Sequence, residues 1–341
     1  MSDTSTEITR ERLLDMMTGF KSTYLLRTAL ELGIFDCFTH GPVGAAEVAR
    51  AVSADPRAVR LLLGALAGAG LLEPAGEAFR PAPGAERLLV GSAKEYFGGN
   101  VHVAASLWEW DTMRALPDVV RKGGPLADAE AERPGFAFWT DFATHLTGLT
   151  RAGAGHVADL LEPWAAERKG LRVLDVGCGH ALFGLTLAGR RPAGHVRCQD
   201  WPEVLEAAER HARRLGLQDR TSYLPGDAFE VPVGGPYDVI VLANFLLMFS
   251  HRRCVDLLRR LTPALAPGGR VVIAGFTTGD AAPREEYHAH MLGLLMLATT
   301  AGGEAHSADA YASMLAEAGL TSVRAHLHDR LPVRVVEGER P

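Results

Sequence analysis

The stretch LRVLDVGCGHALFGLTLAG, Leu171 to Gly189, limits the folds open to this chain more than any other. It begins with β-branched and apolar residues, meets an acid at Asp175, turns on Gly177 and Gly179, and continues into an apolar segment of helical character. That succession is the first βα unit of an open, mostly parallel sheet. Gly177 and Gly179 permit a tight turn and let the backbone approach a ligand with no Cβ between them. The unpaired N–H groups at the following helix start attract an electronegative group. Asp175 is predicted at the carboxyl end of the strand, where this architecture binds its ligands. Leu182 takes the third glycine position of a GxGxxG pattern, so a pyrophosphate fingerprint, and with it a hydride-transferring enzyme, fits poorly.

Strand–helix alternation continues to the carboxyl end and predicts an α/β domain. HVRC at His195 to Cys198 reads as a short strand followed by Asp200, and Pro202 to Leu215 as a helix. SYLPGD forms a third strand closed by Asp227. Tyr237 to Ala243 is a nearly continuous apolar strand, the pattern of a strand covered on both faces. A helix over Arg252 to Leu265, the turn and strand APGGRVVIAGF, and helices over Tyr287 to Thr299 and Ala308 to Ala318 follow. Strands at Ser322 to His326 and Val333 to Val336 complete an antiparallel edge.

The segments VLDVGCG, CQD ending at Asp200, PGDAF around Asp227 and PYDVIVLANFL together resemble a class I S-adenosylmethionine-dependent methyltransferase. The resemblance implies a Rossmann-like catalytic domain with a mostly parallel seven-stranded sheet and S-adenosyl-L-methionine as cofactor. It implies that Asp200 accepts the two ribose hydroxyls and that Asp227, with Ala228 and Phe229, reads the adenine. Asp175, Gly177, Gly179 and Asn244 complete the implied cofactor site. Ala181 stands where the family usually has a third glycine, adding one methyl near the cofactor's methionine end.

Ahead of this domain, apolar residues from Ile8 to Leu32 recur at helical spacing: Leu13, Met16, Met17, Phe20, Tyr24, Leu25, Ala29 and Leu32. Gly19 is expected to divide them into two helices, and the apolar stripe to be buried against a partner subunit. A short helix over Val43 to Val52, a turn, a helix from Pro56 to Ala69 and a hairpin in LLEPAGEAFRPAP make a helix–turn–helix with a wing. That shape raises a DNA-binding regulator. The chemistry opposes it. After Arg57 and Arg60 the second helix offers Leu61, Leu62, Leu63, Gly64, Ala65, Leu66 and Ala67, whereas base and phosphate contacts need polar and basic side chains. The arrangement is similar to the winged-helix dimerisation domain of small-molecule O-methyltransferases of secondary metabolism, which implies a homodimer. The division expected is 1–95 for that domain, 96–165 for a helical linker and substrate-pocket wall, and 166–341 for the cofactor-binding catalytic domain.

A length of 341 residues suits two domains, and a hydrophobic content of 47% suits globular folding. The longest apolar runs fall short of a membrane span and no signal-like segment begins the chain, so a cytoplasmic protein without a membrane partner is expected. A net charge of −6 argues against a nucleic-acid partner held through phosphates. Cys37, Cys178, Cys198 and Cys254 are scattered, with no metal-ligand spacing, and read as reduced thiols.

Between the two domains, Tyr96, Phe97, Trp108, Trp110, Met113, Phe136, Phe138, Trp139 and Phe142 gather many of the aromatics. They serve core packing or line an apolar pocket for a flat ligand; in the resembled family this region forms one wall of the substrate cavity. His102 and His145 are its polar candidates, read first as structural. The Gly-, Pro- and charge-rich segment from Arg121 to Pro134 is expected to be a surface loop.

Methyl transfer asks the protein chiefly to align nucleophile, methyl carbon and sulfur and to exclude water. A phenol near pH 7 is mostly protonated, so a base helps. In the resembled family that base is commonly a histidine after the fourth strand, in N-x-L-H. Here Asn244-Phe245-Leu246-Leu247-Met248-Phe249 puts Leu247 in its place, and His251 lies a turn further on. Three accounts follow. His290 or His288, on the helix that faces the substrate cavity in the family, serves as base; the acceptor is acidic enough, or an activated ring carbon or enolisable keto acid, to react by proximity; or transfer has been lost. An i,i+2 pair on a helix cannot share one face, so His288 and His290 are not expected to act together. With Glu285 or Glu286 they match no standard metal pattern, and no metal is expected. GGEAHS at Gly302 to Ser307 offers His306 as a weak substrate contact. The acceptor expected is a small aromatic or keto-acid molecule.

Overall fold

The computed structural model describes residues 7–128, 130–145, 148–279, 281–328 and 333–341. The chain falls into two compact units, Met1–Ser106 and Leu107–Pro341.

The first unit opens with one helix, Arg10–Glu31, in which Thr9 Oγ1 accepts from Arg12 N at 3.2 Å. It is not broken at Gly19. A helical glycine costs only about 1 kcal/mol, too little to stop a helix that propagates on both sides. Leu13, Leu14, Met16, Met17 and Phe20 stand exposed along it. Helices Ala45–Ala51 and Pro56–Gly68 follow, the second with Pro56 at its first turn and Asp55 Oδ1 accepting from Ala58 N at 2.8 Å. Strands β1 (Val43–Gly44), β2 (Leu72–Ala75) and β3 (Ala78–Pro81) form a small antiparallel sheet in the order β1-β3-β2, with β2 and β3 as the expected wing hairpin. Val59, Leu63 and Leu66 of the second helix are buried, as a packing helix requires.

The second unit carries β4 (Arg172–Val176), β5 (His195–Asp200), β6 (Thr221–Pro225), β7 (Tyr237–Ala243), β8 (Leu265–Gly275), β9 (Thr321–His326) and β10 (Arg334–Glu339) in one seven-stranded sheet. Its order is β6-β5-β4-β7-β8-β10-β9. The first five in that order are parallel, and β10 runs antiparallel to both β8 and β9. Side chains alternate between faces, as strand geometry dictates. Leu174, Val176, Ile240, Leu242, Val271 and Ile273 enter one core. Val173, Val196, Val239, Val241 and Val272 enter the other. Burial on both faces explains why the strands read as continuous apolar runs.

The chain passes from β4 to β5 on one side and returns to β7 on the other, so β4 and β7 flank the switch point of the sheet. A crevice opens there at the carboxyl ends of the strands. Among the described residues no helix is long and apolar enough to cross a membrane.

Candidate functional site

A narrow cleft, partly open to solvent, lies at this switch point. Gly177, Asp200, Asp227, Ala228 and Phe229, all singled out in the sequence, line it together. Gln199, Trp201, Phe245, Met248, Phe249, Arg253, Ala131 and Glu132 join them.

The glycine turn after β4 is held from β5. Gly177 N donates to Gln199 Oε1 at 3.2 Å and Gly179 N to Asp200 Oδ2 at 2.8 Å. Trp201 N donates to the other Asp200 oxygen at 2.8 Å. Each carboxylate oxygen therefore keeps acceptor capacity beyond one backbone N–H. Burial pushes the Asp200 carboxyl up to about 6 against the two backbone donors that pull it down. Gln199 also donates to Gly226 O at 2.6 Å, tying the turn before Asp227 to the same frame. Asp227 Oδ1 accepts from Phe229 N at 2.8 Å. A Cβ on Gly177, whose φ is +60°, would come within 2.2 Å of the Phe245 ring. The backbone there has been kept bare beside the cleft.

Asp175 and Asn244 are placed differently. Neither lines the cleft. The buried Asp175 carboxylate turns into the helix Leu182–Gly189 and accepts from Gly184 N at 2.8 Å. That helix begins at Ala181, in left-handed conformation (φ 58°) and with no side-chain oxygen to cap the helix. Its first N–H, Leu182 N, is taken by His180 Nδ1 at 3.3 Å and its third by Asp175. Two of the donors at the helix start are thus used inside the protein. Asn244 has φ 50° and a buried Oδ1 with no hydrogen-bond partner among the described residues. The left-handed conformation is one that asparagine adopts more readily than most non-glycine residues.

His180, which no sequence pattern singles out, is 4% exposed, with Nε2 3.1 Å from Thr150 Oγ1. Burial, with His211 nearby, lowers it to about 3, so the ring is neutral. It ends a run of aromatic rings. Trp108 and Phe138 lie 4.4 Å apart, Phe138 and Phe142 6.3 Å, and Phe142 stacks on His180 at 6.4 Å and 18°. The aromatic-rich segment thus leads to the glycine turn.

The candidate bases scatter. Leu247 is 5% exposed in a short turn, Leu246–Met248, against which the helix Tyr287–Thr299 packs. His288 and His290 both stand exposed on that helix, on different faces as their spacing requires. His290 Nε2 lies 3.9 Å from Glu286 Oε2. The Glu286 carboxylate, in turn, accepts from Gly279 N and Ala281 N at 2.7 Å each, which employs it as a loop cap. His251 is turned away onto Glu317 at 2.9 Å. His306 is buried with Nε2 2.9 Å from Phe249 O, a structural tie in place of the expected substrate contact. His102 belongs to the first unit, and His145 ends the helix Ala137–His145. Among the described residues no group of three or more metal-ligating side chains could hold a metal ion.

The placement of Asp175 carries a pH prediction. Burial raises its folded pKa from 3.8 to about 7, so the folded chain binds the extra proton between those values and stability falls as pH rises through the window. Asp175→Asn keeps an acceptor for Gly184 N and does not titrate. Its stability relative to the wild type should rise between pH 4 and pH 7.5 by up to about 4 kcal/mol, read from urea midpoints. A difference flat with pH would mean that the Gly184 hydrogen bond offsets the burial of Asp175 and that its pKa is not raised.

Comparison with known proteins adds relatives. The O-methyltransferase domain family model matches residues 146–321, and the O-methyltransferase dimerisation domain model matches residues 14–91. Acetylserotonin O-methyltransferase of Mus musculus is 31% identical over 92% of this chain and 84% of its own length. The 3-hydroxy-5-methyl-1-naphthoate 3-O-methyltransferase of Streptomyces sahachiroi is 28% identical over 92% of this chain and 91% of its own. The crystal structure of an O-methyltransferase-like protein from Nostoc punctiforme superposes with a TM-score of 0.89 at 27% identity, covering 98% of this chain and 100% of that one.

Proposed function

The chain belongs to the S-adenosylmethionine-dependent O-methyltransferase family, and from that premise we propose that it methylates a hydroxyl oxygen of a small, flat aromatic acceptor in secondary metabolism. One observation carries this reading. The glycine turn, Asp200 and Asp227 converge on a single cleft, and the aromatic run ends on His180 beside that turn. The residues fit the donor: bare backbone at Gly177 and acceptor capacity at Asp200. S-adenosylmethionine, when bound, supplies an electrophilic methyl on a sulfonium leaving group.

The chain's own part is to hold and to exclude. Asp200 accepts the ribose hydroxyls, Asp227 with Ala228 and Phe229 receives the adenine, and the rings from Trp108 to Phe142 take the acceptor's flat face. Leu247 gives the acceptor an apolar neighbour in place of a base. We assign the base to His290, whose Nε2 lies 3.9 Å from the anchored Glu286 carboxylate. Among the described residues His288 shares no such partner. The amino-terminal unit is of the dimerisation type, and the exposed Leu13, Leu14, Met16, Met17 and Phe20 support a homodimer built on this helix.

Mass spectrometry of reactions with S-adenosylmethionine and a panel of phenols, aryl acids and 2-keto acids tests both points. A phenolic O-methyl product is expected. His290→Ala should lower its rate by about 10²-fold at pH 7 with cofactor affinity unchanged. Equal rates would move the reading to an acceptor acidic enough to react by positioning alone. A C-methylated product would overturn the choice of oxygen.

A further inference from the structure

The segment from Arg121 to Pro134, expected as a surface loop, contains a short turn, Glu130–Glu132, built into the cleft wall. Ala131 is 1% exposed and belongs to the same core as Ala228, Met248 and Phe249. Three separate elements pin this turn. Trp139 Nε1 donates to Ala131 O at 2.9 Å. Ala301 N, just past the helix Tyr287–Thr299, donates to Glu132 Oε1 at 2.7 Å. Arg253 Nη1 lies 3.5 Å from Glu132 Oε2. Close by, Gly135 N donates to Glu203 Oε1 at 2.5 Å.

Arg253 is itself built into the wall. Its guanidinium sits 4.5 Å over the Phe229 ring and 5.4 Å from Phe249, and these two rings meet edge-on at 5.0 Å. Phe229 follows Asp227 by two residues, and all of them line the cleft with Asp200. The carboxylate thus joins a turn remote in sequence to a cation that grips the aromatic wall beside Asp227.

We propose that Glu132 and Arg253 are positioning residues for the cofactor, forming a strap across the Asp227 end of the cleft that must part before S-adenosylhomocysteine leaves. The proposal rests on the cofactor reading of this cleft. Glu132 keeps the turn down through Arg253 while Arg253 holds Phe229 and Phe249 in place, so the pair sets the rate of cofactor exchange more than the rate of methyl transfer. Glu132→Gln retains an acceptor for Ala301 N and removes the charge facing Arg253, which isolates the pair from the loop anchor.

The test measures dissociation of S-adenosylhomocysteine by stopped-flow displacement from wild type, Glu132→Gln, Arg253→Gln and the double variant, with thermal melts beside them. Each single variant should release the ligand about five-fold faster, and the double variant no faster than the singles, as for an ion pair at a partly exposed site. Arg253→Lys, which keeps the charge without the flat face, should recover only part of the loss. Unchanged release in both single variants, or fully additive increases in the double, would overturn the strap while leaving the cofactor site standing. If the wild type fails to bind S-adenosylhomocysteine, the cleft reading falls and the strap with it.

Discussion

Asp200→Ala should lower affinity for S-adenosylhomocysteine by about 10²- to 10⁴-fold. Two hydroxyl bonds to an ionised acceptor, at about 1.5–3 kcal/mol each, give that range. The same carboxylate holds Gly179 N and Trp201 N, so alanine also frees the turn that the ligand must meet in one geometry. Asp200→Asn separates the two effects. An amide retains one acceptor oxygen and loses the other, and an intermediate loss of roughly 10- to 10²-fold is expected. The pH dependence carries a sign. With its carboxyl pushed up to about 6, ionised Asp200 is available above that pH and is lost below it. Wild-type affinity should therefore weaken as pH falls from 7 to 5, and the Asn variant should stay flat over that window. Titration calorimetry at both pH values decides the matter. An Asp200→Ala affinity within three-fold of wild type would remove Asp200 from the ribose role.

The glycine turn, the strand order and the positions of Asp200 and Asp227 are legible in the sequence because each depends on a few consecutive residues. An acid after an apolar strand of a parallel sheet falls at the ligand edge by chain geometry alone. Asp175 shows where that logic stops. It too ends a strand, yet its carboxylate serves the helix, because Ala181 leaves the helix start without its own cap. Which way a strand-end side chain turns is set by the neighbouring helix, and short sequence windows do not encode that. Gln199 carries little signal, because its strand HVRCQD also holds His195, Arg197 and Asp200, and nothing in that pattern sets the one buried polar side chain apart. Glu132 and Arg253 carry none. They lie 121 positions apart, and the composition of the Arg121 to Pro134 segment is that of a solvated loop even though Ala131 is in the core.

Gly184→Val is expected to be among the most damaging single changes in the catalytic unit. A Cβ at position 184 would lie 2.6 Å from Val196 Cγ2, 2.8 Å from Asp175 Oδ2 and 2.9 Å from Asp175 Cβ. None of these is the free end of a flexible chain. Overpacking a core costs about 1–3 kcal/mol, and pushing Asp175 off Gly184 N leaves a buried acceptor unpaired for about 1–3 kcal/mol more. A combined loss of roughly 2–6 kcal/mol lowers the melting temperature of a unit this size by about 4–24 °C. Gly155→Ala is the control. It lies within the helix Gly148–Ala165, meets nothing within 4 Å, and should raise stability by up to about 1 kcal/mol. The milder Gly184→Ala then tests the cause. If the contact with Asp175 is what resists the methyl, its cost should shrink by about 1 kcal/mol or more in an Asp175→Ala background. Strictly additive costs would mean that the crowding at Gly184 comes from Val196 and from the Asp175 Cβ that alanine retains, and not from the carboxylate oxygen.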